Sequence, residues 1–339
     1  MSKSYSPPFT VTPKAVSLVA GISEAVGRLS LLVEPMALRL RRLNRIRTIQ
    51  GSLAIEGNTL RQEQITAILA GKRVIAPPRE IQEVRNAIQA YDQLPTWQPW
   101  KEADLLDCHA ILMSGLLDAP GKYRSGGVGI MAGKEVVHMA PSAERVQFLM
   151  GDLLRWLKTT QDHPLIASSV FHYEFEFIHL FADGNGRLGR LWQTLILSRR
   201  HPLFADIPVE SLVHTHQQEY YQALNASSRR GDSAPFIEFI LTMVREAMVS
   251  VLAPQVEPQV TPQVARLLAI LSSEMSRDEI QNALNLRDRK SFRVRYLAPA
   301  LAEGLIEMTI PDKPNSRLQK YRLTAKGKVW LRTHQAGNQ

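Results

Sequence analysis

Twelve consecutive residues, His179-Leu180-Phe181-Ala182-Asp183-Gly184-Asn185-Gly186-Arg187-Leu188-Gly189-Arg190, gather a titratable ring, a hard carboxylate, a glycine-bracketed turn and two guanidinium groups. His179 ionises near neutrality and suits the removal of a proton from a hydroxyl. Asp183 offers oxygen to Mg²⁺, a cation that prefers carboxylate together with phosphate oxygens. Gly184 and Gly186 permit a turn whose successive N–H groups converge, and a helix beginning there adds its positive end, so the stretch reads as a pocket for an anion, phosphate first. Arg187 and Arg190, at i and i+3, share one helix face and fork onto phosphate oxygens. Taken singly, a His at a helix end, an Asp cap and a Gly-Asn-Gly turn are ordinary structural features; their order within one stretch points to chemistry.

The loop must be held by what flanks it. Residues 168–178 read as the end of an apolar helix and 191–197 as the start of another. The N-terminal part returns apolar residues at three and four over 12–48 and again over 62–94, a helical pattern. Between these lies Ser52-Leu53-Ala54-Ile55-Glu56-Gly57-Asn58-Thr59, which puts Ser52 and Glu56 one turn apart on one face, with Gly57-Asn58 as a helix stop. A carboxylate at a helix C-terminus is disfavoured by the dipole and needs compensation, for which a buried arginine is suited. Residues 125–138 form two short strand-like runs around an Ala-Gly turn, a hairpin in an otherwise helical chain, and an acidic amphipathic helix is expected from Pro141 through Leu157. Helical pattern resumes through Tyr220-Tyr221 and over Phe236 to Leu252.

The 179–190 segment resembles the signature of the Fic family, and the motif matches in full. The resemblance implies transfer of AMP from ATP to a hydroxyl side chain (Ser, Thr or Tyr) of another protein, with release of pyrophosphate. By that likeness His179 is the general base, Phe181 anchors the loop, and Asp183 holds Mg²⁺. Gly184, Asn185, Gly186, Arg187, Leu188, Gly189 and Arg190 take the phosphates. The segment at Ser52, Glu56 and Gly57 resembles the family's inhibitory Ser/Thr-x-x-x-Glu-Gly/Asn helix, which implies that Glu56 pairs with Arg190 and keeps it from the γ-phosphate. The hairpin resembles the family's flap. It implies that Val128, Gly129, Ile130 and Met131 cover the nucleotide while residues 125–138 offer an edge to the target polypeptide. Tyr220 stands where related enzymes place an aromatic against adenine, whereas Ser228 replaces an Asn often found there.

Composition sets the frame. The 339 residues, 45% hydrophobic and 22% charged, suit a globular chain of about two domains. No apolar run approaches the ~18 residues of a membrane span and the start lacks a signal peptide's apolar core, so a cytoplasmic protein is expected. The single cysteine, Cys108, excludes an internal disulfide or a cysteine zinc site and reads as a small core residue. Of the net charge of +9, most belongs to residues 258–339, which hold 14 Lys and Arg against 7 Asp and Glu. Three prolines between 254 and 262 mark a linker. Beyond it, helices over 261–273, 276–285 and 288–303 followed by strands over 305–310 and 320–323 resemble a winged helix, with 311–319 as the wing. The third helix carries Arg289, Arg293 and Arg295 on a basic face suited to a DNA groove or to protein docking.

The expected architecture is therefore mainly α: an N-terminal helical region (1–100) with the inhibitory helix, a Fic-type catalytic domain (101–253) with its hairpin flap, a linker (254–262) and a winged-helix domain (263–335). ATP, Mg²⁺ and a target protein are the expected ligands, with DNA and a second copy of the chain as further partners. The same constellation suits removal of AMP or transfer of another nucleotidyl or phosphoryl group, and a nucleotide-sensing DNA-binding regulator is the reading from another class. A P-loop is excluded, since Gly133-Lys134 is followed by Glu135.

Overall fold

The computed structural model describes residues 5–331 apart from 31–33, 128, 133–134, 253–259, 272, 287, 311–315, 317, 325–326 and 329. The chain divides into two compact units, Met1–Leu252 and Ala253–Gln339. Residues 254–259 of the expected linker (254–262) lie outside the described residues, as does most of the expected wing, while Pro262 already begins the next helix.

The first unit is a stack of helices with one hairpin. Thr12 caps α1 (Pro13–Leu29) by accepting from the Ala15 N–H at 3.1 Å. Helix α2 (Glu34–Ile55) ends where Gly57 turns left-handed at φ 90°. The continuous pattern over 62–94 is in fact two helices, α3 (Gln62–Leu69) and α4 (Pro78–Gln93). They are separated because Gly71 and the Pro77-Pro78 pair cannot sit inside a helix, while Pro78 is well placed to start one. Helix α5 (Glu102–Leu112) precedes strands β1 (Gly129–Ala132) and β2 (Glu135–Met139), an antiparallel pair with a register shift between Ile130 and Met131. Helix α6 (Ala143–Thr159) begins two residues after Pro141, its expected start, and runs two residues past Leu157. Then come α7 (Pro164–Ile178), α8 (Asn185–Arg200), α9 (Val209–Thr215), α10 (Gln217–Arg230) and α11 (Ala234–Leu252).

Helices α7 and α8 form the centre and are buried nearly all round, polar residues such as His172, Arg187, Arg190 and Gln193 included. Phe171, Phe175, Leu188 and Trp192 are fully enclosed there, and Cys108 lies in the same core. A smaller core joins α2 to α3 and α4 through Ile49, Leu53, Ile65 and Val84. Ile55 at the end of α2 and Ala90 and Leu94 of α4 belong to the main core as well, so the arm that carries Glu56 is anchored to the helices that flank the 179–190 loop.

The second unit has its own core, built on Leu267, Ile280, Phe292 and Leu305. It runs α12 (Pro262–Ile270), β3 (Met275–Ser276) and α13 (Arg277–Ala283), the last closed by a capping box of Ser276 and Glu279. Next α14 (Arg289–Phe292), a π turn (Arg293–Leu297) and α15 (Ala298–Ala302) follow end to end, then β4 (Ile306–Met308) and β5 (Lys320–Leu323). The third helix is therefore interrupted where Pro299 removes a backbone donor that Arg295 would have met. The sheet order is β3-β5-β4, all antiparallel; two-residue β3 was too short to be read from sequence. Among the described residues no helix is long and apolar enough to cross a membrane.

Candidate active site

The loop between α7 and α8 is fixed from three sides. Phe181 is fully buried, and the side chain of Asn185 reaches back to both its N–H (3.0 Å) and its carbonyl (2.8 Å). The His109 ring of α5 stacks on Phe181 with centroids 3.7 Å apart and planes 7° from parallel. His109 Nδ1 accepts from the Gly121 N–H at 2.8 Å, which leaves Nε2 as the donor to the Asp183 carbonyl at 3.0 Å. Burial holds the His109 pKa below its ordinary value, consistent with this neutral tautomer. Gly184 sits at φ 84°, and a Cβ there would lie 2.6 Å from Met113 Sδ, so the turn admits glycine alone without movement.

That turn delivers the first residues of α8, whose open N–H groups and positive end face the loop. His179 stands at the other side, as the C-cap of α7, in a left-handed conformation (φ 51°, ψ 68°) uncommon for a residue with a side chain. Its carbonyl accepts from Arg124 Nε at 2.7 Å.

Arg187 and Arg190 are both buried, at 4% and 3% exposure, so each guanidinium must be compensated. Arg187 Nη2 meets Asp183 Oδ1 at 3.1 Å and Nη1 meets Glu83 Oε1 at 3.5 Å. Arg190 reaches across to the end of α2, where Nη2 donates to Glu56 Oε1 at 2.7 Å and to the Ser52 carbonyl at 2.9 Å, and Nε to Ser52 Oγ at 3.2 Å. Burial, the largest single effect, works against the Arg190 charge, but Glu56, Tyr220 and Glu176 together outweigh it and the proton is held more tightly than usual. Glu56 engages through a single oxygen, so the contact is not the two-pronged carboxylate pair expected of an arginine fork; Ser52 supplies the remaining bonds.

Behind Arg190 lies a second polar layer. His172 Nδ1 meets Gln193 Oε1 at 2.7 Å and its Nε2 accepts from the Tyr220 hydroxyl at 3.2 Å. Full burial lowers the His172 pKa to about 3, so the ring stays neutral. Glu176, one turn on, is pushed up to about 7, chiefly by burial, with Arg190 opposing and Glu56 adding to the rise. Glu210 accepts from Tyr91 and Thr194 and is raised in the same sense.

The structure brings His179, Asp183, residues 184–190, Ser52 and Glu56 together. Tyr220 lies instead in the core, 2% exposed and enclosed by Phe236 and Phe239, while Tyr221 beside it is exposed. Its position follows from α10 turning that face onto α11. Ser228 meets the Tyr173 hydroxyl at 3.2 Å. Gly129, Ile130 and Met131 form β1, and Val128 lies outside the described residues.

Three contributors were not read from the sequence. His109 gave no signal, because α5 is apolar on several faces. Glu83 of α4 holds Asn58 Nδ2 at 2.8 Å through its other oxygen, so one carboxylate touches both Arg187 and the segment after Glu56; Glu80 and Glu83 sharing a face behind Pro78 was the available hint. Arg124 was visible only as a residue before the hairpin.

Asp183 fits a hard cation. Its carboxylate is 40% exposed; Oδ1 accepts from the Gly184 N–H and Arg187 Nη2, and Oδ2 pairs with Arg79 Nη2 at 3.6 Å, so a bound metal ion would share the place of these two cations. Among the described residues no group of three or more His, Cys, Asp or Glu could hold a metal ion.

Residues 99–197 match the Fic/DOC family and residues 262–324 match the C-terminal domain of "Filamentation induced by cAMP protein Fic-like". The chain is 29% identical over 219 residues to the protein adenylyltransferase Fic of Nematostella vectensis, covering 60% of this chain and 48% of that one. It is 30% identical over 201 residues to the protein adenylyltransferase fic-1 of Caenorhabditis briggsae, covering 56% and 38%. The chain thus spans about half the length, or less, of these curated relatives. Among solved structures, a Fic family protein from Desulfovibrio desulfuricans G20 is 52% identical, with 95% of this chain and 99% of that one covered and a TM-score of 0.72. Fic-1 from C. elegans, at 23% identity, 70% and 71% coverage and a TM-score of 0.58, is alike in fold.

Proposed function

The chain belongs to the Fic family, and from that premise we propose that it transfers AMP from ATP to a Ser, Thr or Tyr hydroxyl of another protein, releasing pyrophosphate. The observation that carries this reading is the loop itself, which sets His179 and the N-terminus of α8 on either side of one turn pinned by Phe181, Asn185 and His109. The open N–H groups of α8 and the Arg187 and Arg190 guanidinium groups hold the phosphates. His179 takes the proton of the target hydroxyl as its oxygen bonds to the α-phosphorus; the bond to the bridging oxygen breaks and pyrophosphate leaves. Such a base contributes ~10²–10⁴ in rate. Asp183 is the residue to hold Mg²⁺, which when bound neutralises phosphate charge. The β1–β2 hairpin offers its edge to an extended target segment.

In the state described, Arg190 is occupied by Glu56 and Ser52, which supports an autoinhibited resting enzyme. The Glu56 side chain is 32% exposed and bonds Arg190 through Oε1, so the other oxygen is placed to orient a water; this favours AMP removal as a second activity of the same site. In the second unit, Arg293 and Arg295 are exposed and the Arg289 side chain is 79% exposed, which favours nucleic-acid contact by a winged-helix domain. Incubating wild type and Glu56→Gly with α-labelled or γ-labelled ATP, with and without lysate, tests the central reading. Protein labelled from the α-position alone is expected; label from γ alone would make the reaction phosphorylation.

A further inference from the structure

We propose that Arg124 is the positioning residue that sets the general base and the target-docking hairpin together, an inference that rests on the AMP-transfer reading above. Arg124 is only 7% exposed and its guanidinium is spent on main-chain carbonyl oxygens. Nε donates to His179 O at 2.7 Å and Nη2 to Ile178 O at 3.3 Å. The Arg124 backbone N–H donates to Leu180 O at 3.0 Å. Three successive carbonyls, 178 to 180, are therefore held by one residue where the chain leaves α7. The middle one belongs to His179, whose φ of 51° points its imidazole away from the path a continuing helix would give it.

The other donors face the hairpin. Nη1 donates to Gly126 O at 2.7 Å and Nη2 to Pro141 O at 2.6 Å. These two carbonyls lie on either side of β1 and β2, so the guanidinium clasps both feet of the hairpin. A planar fork serves acceptors in these separate directions at once; an ammonium, with three donors on one point, does not. The cation also sits against the negative end of α7, where the dipole favours it. If Arg124 is replaced, the 178–180 carbonyls lose their common donor. His179 then relaxes and the imidazole moves with its backbone, while the first turn of α8, held separately by His109 and Asn185, keeps its grip on phosphate.

The test compares Glu56→Gly, as parent, with Arg124→Lys and Arg124→Gln in that background, and with Tyr123→Phe, which removes only the neighbouring hydroxyl's bond to Glu102 (2.9 Å). Thermal unfolding, ATP binding by calorimetry, self-labelling from α-labelled ATP and carbon-13 resonances of the histidine rings are read. In folded Arg124 variants, ATP affinity is expected within ~3-fold of parent while labelling at saturating ATP falls at least ~30-fold, as misplacement of a reacting group by about 1 Å can cost. The His179 ring signal should move and those of His109 and His172 stay, with Tyr123→Phe unchanged throughout. An unmoved His179 signal overturns the proposal, as does labelling within ~3-fold of an active parent or a parallel loss of ATP affinity. Loss of fold in both variants would make Arg124 a structural anchor and overturn it too. If the parent itself transfers no AMP, the functional reading fails, and the His179 signal still decides the role of Arg124.

Discussion

Glu56 Oε1 and Arg190 Nη2 meet at 2.7 Å although 134 positions separate them in the chain. The contact joins the end of α2 to α8, the helix that carries Arg187 and Arg190. On the proposed reading Arg190 cannot serve a carboxylate and a γ-phosphate fully at once, so ATP bound while the pair holds would have its α-phosphorus badly aligned. Holding 99% of molecules in that state needs only ~2.7 kcal/mol. Glu56→Gly is expected to raise AMP transfer, self-modification included, by at least ~10-fold, or ~1.4 kcal/mol. Arg190→Ala in that background should lower it again. Equal rates for wild type and Glu56→Gly at saturating ATP, both folded, would remove the inhibitory role.

His179→Ala should abolish transfer and leave ATP affinity within a few-fold, because in the proposed mechanism the ring acts on the target hydroxyl and not on the nucleotide. Calorimetry beside a transfer assay separates the two effects. Self-labelling at the parent rate would take His179 out of the mechanism.

Gly184→Ala forces a side chain into φ 84° and against Met113 Sδ. Backbone strain of this kind costs ~1–3 kcal/mol. Urea unfolding should register that loss, and ATP binding should weaken because the Asp183–Gly184 turn sets the first N–H groups of α8. An unchanged midpoint together with unchanged affinity would show that the turn adapts freely.

The Glu176 carboxyl, raised to about 7 mainly by burial, makes stability depend on pH. Between the ordinary carboxyl value and about 7 the native state keeps a proton that the unfolded chain has released, so stability falls as pH rises through this window. His172, lowered to about 3, acts oppositely: below its ordinary value the unfolded chain takes up a proton that the native ring refuses, so stability is lost on acidification. Glu176→Gln should remove the fall in stability between pH 4.5 and about 7 and leave the loss on acidification through His172 in place. Urea midpoints across pH check this, and an unaltered alkaline slope in Glu176→Gln would assign it to another group, Glu174 being the other carboxyl raised to about 7.

If the second unit contacts nucleic acid, the full chain should bind duplex DNA in low salt and weaken steeply as salt rises through counterion release. Replacing Arg289, Arg293 and Arg295 should reduce the salt slope. No duplex affinity at ~50 mM salt would favour protein docking by this unit.

Local chemistry and periodicity were enough to read the helical nature of both units, the hairpin and the 179–190 loop, because helices, turns and a compact motif are written in neighbouring residues. Glu56 was flagged by its poor position at a helix end, and its resemblance named Arg190 as partner. What local pattern could not reach was the company these residues keep. The stacking of His109 on Phe181 and the bridge of Glu83 between Asn58 and Arg187 join positions far apart in the chain, and no spacing rule records a contact between separate helices. Ser52 supplies more of the Arg190 bonds than Glu56 does, because its backbone carbonyl accepts as well as its hydroxyl, a contact that side-chain spacing does not record. Tyr220 turned inward because the packing of α10 on α11, not the aromatic pair itself, decides which ring is enclosed. Arg124 sits in a short connection whose sequence gives no hint of its role; only the fold brings five carbonyl oxygens around it.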